Sequence, residues 1–453
     1  MTIFAENALL PEGWTSDVRV SFASGRIGKV TRNTKPEGGD TLVPVLLPAI
    51  SNLHSHTFQR AMAGRSEYQF AHADSFWTWR TLLYRFLNHL TPEHIEAIAA
   101  QAFVEMQKAG YAAVGEFHYL HHQMGGVPYD DRAELSKRII AAAQRTGIGL
   151  TLLPALYSYG GALREPLEGG QLRFGNSLER YLSLFEDCAG ALAPLGEDAV
   201  IGIAPHSLRA VPPQDLSELC TEHPDALVHL HIAEQEQEVA EIRSFHGARP
   251  VEWLLQNADV NERWCLIHAT HMTEAETIAL AHSKAVAGLC PVTEANLGDG
   301  IFAAAKFLEA GGHWGVGTDS NVAISLNDEL RTLEYSQRLR DRARNILSTL
   351  KQSTGSTLYL HAAKGGAQAL GRASGKIAEG LFADFIAIDR VHPSLFGLSE
   401  AQLLDGFCFS ATSAVVTDTW SAGRHMVREG KHIDQFSVYE AFKETMKELS
   451  ELL

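Results

Sequence analysis

Residues 43–56 read Val-Pro-Val-Leu-Leu-Pro-Ala-Ile-Ser-Asn-Leu-His-Ser-His. The run is almost continuously apolar, as in a strand buried on both faces, and it ends on two histidines one residue apart. Side chains two apart on a strand point the same way, so His54 and His56 converge on one centre at the strand's end. Chance HxH pairs are common, so the reading depends on what the rest of the chain brings to that end.

Seven comparable runs follow: Ala112–Leu120, Ile148–Ser158, Ala199–Ser207, Ala226–Glu234, Cys265–His271, Ala285–Leu297 and His313–Asn321. Helical patterns lie between them. Thr91–Lys108 opens on a capping threonine and Pro92 and is followed by Gly110; Arg132–Thr146 is closed by Gly147; Thr273–Ser283 is a third. Eight such alternations fit an α/β fold, a (β/α)8 TIM-type barrel over 46–365, although a doubly wound sheet has the same local pattern. The flanks differ. Residues 1–45 and 366–435 carry short strands broken by glycine and turn residues, expected to combine as a small β-sandwich built from both chain termini. Residues 436–453 read as a C-terminal helix. Gln123–Asp131 and Gly160–Asn176 are irregular and overhang the barrel mouth, the second as a candidate lid. Phe407–Val416 is apolar, suited to core or to a subunit interface.

The 453 residues carry 38 Lys+Arg against 54 Asp+Glu, a net charge of −16. That field repels polyanions and excludes nucleic acid and an anionic membrane surface as partners. No run of about 18 apolar residues predicts a transmembrane helix, and the first residues lack a signal-peptide pattern. The 5 cysteines are scattered without a CxxC pair, as in reduced cytoplasmic thiols. The unusual count is 21 histidines, the residue that both ligates metals and carries protons near neutral pH.

Several of these fall toward predicted strand ends, where a barrel places its chemistry. In Val228-His229-Leu230-His231-Ile232-Ala233-Glu234, His229 and His231 share a face; His231 lies nearer the mouth and is the candidate ligand, His229 the buried one. Glu234 then sits where the strand turns out. Asp319, after Gly317-Thr318, reaches the mouth either as a ligand and proton acceptor or as the N-cap of a helix that follows at Leu326. His268 lies inside its strand with the option of facing the centre, whereas His271 is expected to leave it.

HSH, HIAE, IHATH and GTDS, in this order, resemble the amidohydrolase superfamily, and EGLFADFIAID is similar to the strand that returns to its terminal sheet. Dinuclear members use a bridging lysine, glutamate or cysteine on the fourth strand. Here that strand reads VIGIAPHSLRA, with His206 and no lysine, so the resemblance is to the mononuclear deaminases. It implies one Zn2+ per chain, with iron as the competing metal, held by His54, His56, His231 and Asp319. It also implies that Asp319 takes a proton from the metal-activated water, Glu234 protonates the departing nitrogen, and His268 steadies the tetrahedral centre.

More narrowly, NLHSHTFQRAMAGR, GEFHYLHH, Trp77-Thr78-Trp79-Arg80, APHSLRAV and CPVTEANLGDG resemble the formimidoylglutamate deiminases. That likeness implies hydrolysis of N-formimino-L-glutamate in histidine degradation, hence a small anionic amino-acid-derived substrate, and a homodimer. Arg80, Arg209 and Tyr119 would hold the carboxylates, with Gln59 and His206 also in contact. Read alone, each arginine fits an ordinary surface ion pair equally well. Glu294 stands where other deaminases carry Cys-Pro-x-Ser-Asn and has no assigned role. The rival readings are a guanine, adenosine-type or triazine aminohydrolase and, remotely, a non-catalytic binding protein on the same fold.

Overall fold

In the computed structural model, which describes residues 1–68 and 75–452, Pro48 divides the opening apolar run in two. Thr41–Pro48 belongs to a sheet made by the chain ends, and Ile50–Ser55 is the first strand of the barrel. The single strand expected over 43–56 is therefore corrected. Proline has no N–H for a ladder. At the break, Ala49 donates its N–H to the Asp384 carbonyl at 3.1 Å and the Tyr359 hydroxyl donates to the Pro48 carbonyl at 2.8 Å. The chain changes sheets within one residue.

The remaining barrel strands are Tyr111–His118, Gly149–Leu156, Ala199–Ile201 continued at Ala204–Pro205, Val228–Ile232, Trp264–His268, Val286–Leu289 and His313–Val316. Every ladder is parallel. Parallel bridges Ile203–Val228 and Ser207–His231 join the fourth strand to the fifth, and Ser55–Asp319 joins the first to the end of the eighth. First and last strands are thus neighbours, which settles for a closed barrel over a doubly wound sheet. Two further expectations shift. The run at 285–297 is a strand to Leu289 and then a helix, Pro291–Leu297, because proline suits a helix's first position and not a central strand. The eighth strand ends at Val316, and Asp319 lies in the turn beyond it.

Helix Pro92–Ala109 has the predicted caps: Thr91 Oγ1 accepts from His94 N at 3.3 Å, and Gly110 has φ +104°. Glu134–Thr146 and Glu274–His282 match the other two helical patterns. Helix Thr354–Ala369 lies against the barrel with Gly365 and Gly366 facing strands one and eight. A Cβ on Gly365 would fall 1.9 Å from the Trp314 carbonyl oxygen, and one on Gly366 2.5 Å from that of Ser51.

The expected terminal sandwich takes the form of one eight-stranded sheet. Its order is Lys431–His432, Arg424–Arg428, Val416–Ser421, Phe385–Ile388, Thr41–Pro48, Thr2–Leu10, Gly13–Ala23 and Arg26–Thr31. Ile3, Val18, Val20, Phe22, Phe385 and Trp420 form its own apolar cluster. Phe407, Cys408, Ala411 and Val415 are core residues of the barrel side, so the segment left open between core and interface is core. The last helix, Gln435–Leu452, pairs Glu448 with His94 at 2.9 Å; Leu453 of the expected terminal helix lies outside the described residues. No helix among the described residues is long and apolar enough to cross a membrane.

Candidate metal centre and active site

Three imidazoles meet at the mouth of the barrel. His54 Nε2 lies 3.2 Å from His56 Nε2 and 3.1 Å from His231 Nε2, and all three side chains are buried. The outer nitrogens of two rings are anchored: His56 Nδ1 donates to the Phe117 carbonyl at 2.8 Å and His231 Nδ1 to the His206 carbonyl at 3.1 Å. With the proton on Nδ1, the Nε2 lone pairs of both rings point inward. Burial lowers all three basicities, that of His56 to about 3, so protons do not occupy the gap. Asp319 Oδ1 adds an oxygen at 3.5 Å from His54 Nε2 and 3.4 Å from His56 Nε2. Converging lone pairs beside a carboxylate are repulsive without a cation. The donor set fits one divalent ion of the nitrogen- and oxygen-binding kind.

Strain at the strand ends aims these groups. His268, Ala269, Ala233 and Asp319 adopt positive φ of 68°, 49°, 51° and 43° without being glycine, each costing of order 1 kcal/mol or more. Cross-strand bonds hold them: Ala269 N–H donates to Ile232 O at 3.0 Å, His271 to Ala233 at 2.9 Å, His56 N–H to the Asp319 carbonyl at 2.9 Å, and Asp319 N–H to the His54 carbonyl at 3.0 Å. Gly317 permits that last approach, since a Cβ there would sit 2.7 Å from the His54 carbonyl oxygen. Behind it, Asn52 bonds Thr318, which bonds Asn321, which returns to Ser55 and the His56 carbonyl. Asp319 caps no helix; Ser325 caps the one at Leu326. Sequence reading did not find Asn52 or Asn321, whose partners are some 266 residues away.

His268 stands among carboxylates. Its Nε2 lies 3.6 Å from Glu234 Oε1 and 3.9 Å from Asp319 Oδ2, and its Nδ1 lies 3.2 Å from Glu294 Oε1. Burial works against its charged form, but Glu234, Glu294 and Asp319 outweigh burial and raise its pKa. Burial pushes the Glu234 carboxyl up to about 7, with the His268 charge opposing and Asp319 and Glu238 assisting. For Asp319, burial is outweighed by the histidines and the carboxyl stays ionised. Asp299, which sequence reading passed over, is within metal-ligating reach of Glu234 and His268 and is pushed up to about 9, chiefly by burial and then by the Glu234 charge. His229 Nε2–H donates to the Ala369 carbonyl at 2.8 Å, and the ring is not in the cluster.

A cleft leads from this cluster to a basic wall. Gln59, Arg80, Tyr119, His206 and Arg209 all line it together with Glu234, His268 and Asp319. Gln59 Nε2 donates to the Tyr119 hydroxyl at 2.7 Å, and its Oε1 is buried without a partner among the described residues. Burial, then Arg209, lowers the His206 basicity and keeps it neutral. Arg80 Cζ stacks 4.6 Å from the Trp77 ring and Arg209 Cζ 5.7 Å from it. Among the described residues neither guanidinium has a carboxylate salt-bridge partner, and Arg209 Nε is buried with no acceptor. Neither arginine makes the ordinary surface ion pair among the described residues. Trp77, in the shelf beneath them, was visible only as part of the WTWR segment.

Residues 45–426 match the model of the Amidohydrolase family, and residues 1–43 match that of the "Formimidoylglutamate deiminase HutF, N-terminal domain". A formimidoylglutamate deiminase of Pseudomonas aeruginosa is 49% identical over 450 residues, covering 99% of each chain. The crystal structure of an amidohydrolase from Brucella melitensis superposes with a TM-score of 0.95 at 46% identity, covering 99% of both chains. An adenosine deaminase from Xanthomonas campestris, solved with bound zinc, shares the fold at a TM-score of 0.82 and 20% identity, over 99% of this chain and 98% of that one. The chain belongs to the amidohydrolase family, in its formimidoylglutamate deiminase branch.

Proposed function

We propose that the protein hydrolyses N-formimino-L-glutamate to N-formyl-L-glutamate and ammonia, using one divalent metal, zinc, held by His54, His56, His231 and Asp319. The observation that carries the reading is the cleft's two ends. Arg80 and Arg209, without a carboxylate at salt-bridge distance among the described residues, suit a dicarboxylate at one end, and Glu234, His268 and Asp319 suit the formimino group at the other. A metal in the histidine cluster supplies a nucleophile at neutral pH by lowering the pKa of water to about 7.

The chain's own groups do the rest. The arginines, with Tyr119, Gln59 and His206, fix the glutamyl part so that the C=N carbon rests beside Asp319 and Glu234. Asp319 accepts the proton released as the nucleophile adds. Glu234, protonated near neutrality because it is buried, gives its proton to the nitrogen that leaves as ammonia. His268 carries positive charge next to the carbon's developing oxyanion.

Ammonia release from N-formimino-L-glutamate, guanine and S-adenosylhomocysteine by zinc-loaded protein tests the reading. Turnover of the formimino compound alone is expected. Turnover of a purine substrate without formimino activity would overturn it.

A further inference from the structure

Glu294 is a buried carboxylate that the steps above do not use. It lies in the first turn of helix Pro291–Leu297, just past the seventh strand, at 5% exposure. A single oxygen, Oε1, accepts from the Cys290 backbone N–H at 2.9 Å and faces His268 Nδ1 at 3.2 Å. The helix is tied down at its other end, where the Asp299 N–H donates to the Glu294 carbonyl at 2.9 Å. The carboxylate is thus fixed to its own strand before it meets the ring. His268 needs such an anchor, because its left-handed backbone takes the side chain out of the regular strand geometry.

We propose that Glu294 is a positioning residue: by accepting from Nδ1–H of His268 it sets the ring's orientation and keeps Nε2 aimed between Glu234 and Asp319. The geometry selects this role because, among the described residues, Nδ1 has no other hydrogen-bond partner and Nε2 is the nitrogen that faces Glu234 and Asp319. An imidazole whose far nitrogen is held by a fixed carboxylate cannot rotate or change tautomer without losing a charge-assisted bond. Its importance to turnover rests on the role given to His268 in the proposed reaction; the ring orientation itself does not.

Two measurements separate these. In protein carrying 15N-histidine, His268 is expected to show a protonated Nδ1, and Glu294→Gln to move only the His268 ring signals among the site histidines. Glu294→Gln and Glu294→Ala are expected to lower kcat about 10- to 100-fold with KM within about threefold and metal content unchanged. In a His268→Asn background the same changes are expected to cost less than twofold. Unchanged His268 ring signals in Glu294→Gln would overturn the inference, as would full additivity of the Glu294 and His268 substitutions. If the ring signals move but formimino turnover is absent in the parent protein, the positioning holds and the proposed reaction is what fails.

Discussion

Glu234 can act as an acid only while it still holds a proton when the substrate arrives. Its pKa is raised to about 7 by burial, so the acid form is present below that pH and is lost as pH rises through it. kcat/KM is accordingly expected to fall about tenfold per pH unit on the alkaline side of a break near 7, read from a pH profile. Glu234→Gln keeps the shape but has no proton to give; a loss of about 10²- to 10⁴-fold in turnover is expected, with full metal content by elemental analysis. Arg209→Ala is expected to raise KM for the dicarboxylate about 10- to 100-fold, of the order of one charge-assisted hydrogen bond, and to leave an uncharged formamidine unaffected. Arg209→Lys should not restore it, because an ammonium lacks the planar fork. At this scale much could be read directly from the chain. His54, His56 and His231 were legible because a strand's period of two assigns faces, and Glu234, His268 and Asp319 because strand ends collect chemistry. Glu294 was not, because its contact depends on the helix starting at Pro291, two residues past the strand's end at Leu289, where the apolar run of the sequence continues. The Asn52–Thr318–Asn321 lock joins the two ends of the barrel sequence, and no local pattern contains it.

Among the elements, helix Thr354–Ala369 tolerates two central glycines that cost of order 1 kcal/mol each in helix propensity. The barrel wall leaves no alternative, since each would put a methyl group into a backbone carbonyl. Gly365→Ala is expected to destabilise by about 3 kcal/mol or more and to lower Tm clearly in a thermal melt. Gly190, in helix Leu178–Leu192, is the opposite case: a Cβ there meets nothing within 4 Å. Gly190→Ala should raise stability by about 0.5–1 kcal/mol in the same assay. Both glycines look alike in sequence; only the packing partner separates them. The same limit explains the terminal strands. Their alternation announced a sheet, but the pairing of Thr41–Pro48 with Phe385–Ile388 depends on ends that periodicity cannot relate.

Across the whole molecule, Arg372 fastens the terminal sheet to the barrel. Its guanidinium is buried, makes a bidentate pair with Asp384 at 2.6 and 2.9 Å, and bonds Asp198 at the start of the fourth barrel strand. Arg424 reaches the same Asp198. Arg372→Met leaves the buried Asp384 without its cation, while Asp198 keeps Arg424, and a loss of about 3–5 kcal/mol is expected in urea unfolding. Arg372→Met combined with Asp384→Asn should recover part of that loss, because the stranded charge is removed as well.

The sheet that Arg372 secures also sets an order of events during synthesis. Thr41–Pro48 carries an unpaired edge until Phe385–Ile388 arrives to hydrogen-bond with it. About 340 residues separate the two, roughly 20–70 s of ribosome time at ordinary elongation rates. For that interval the nascent chain presents an apolar, open strand edge next to the first histidine pair, the kind of surface that recruits chaperones or aggregates. The barrel's own closure waits for its eighth strand, His313–Val316, so His54 and His56 meet Asp319 only after about 260 further residues have been made.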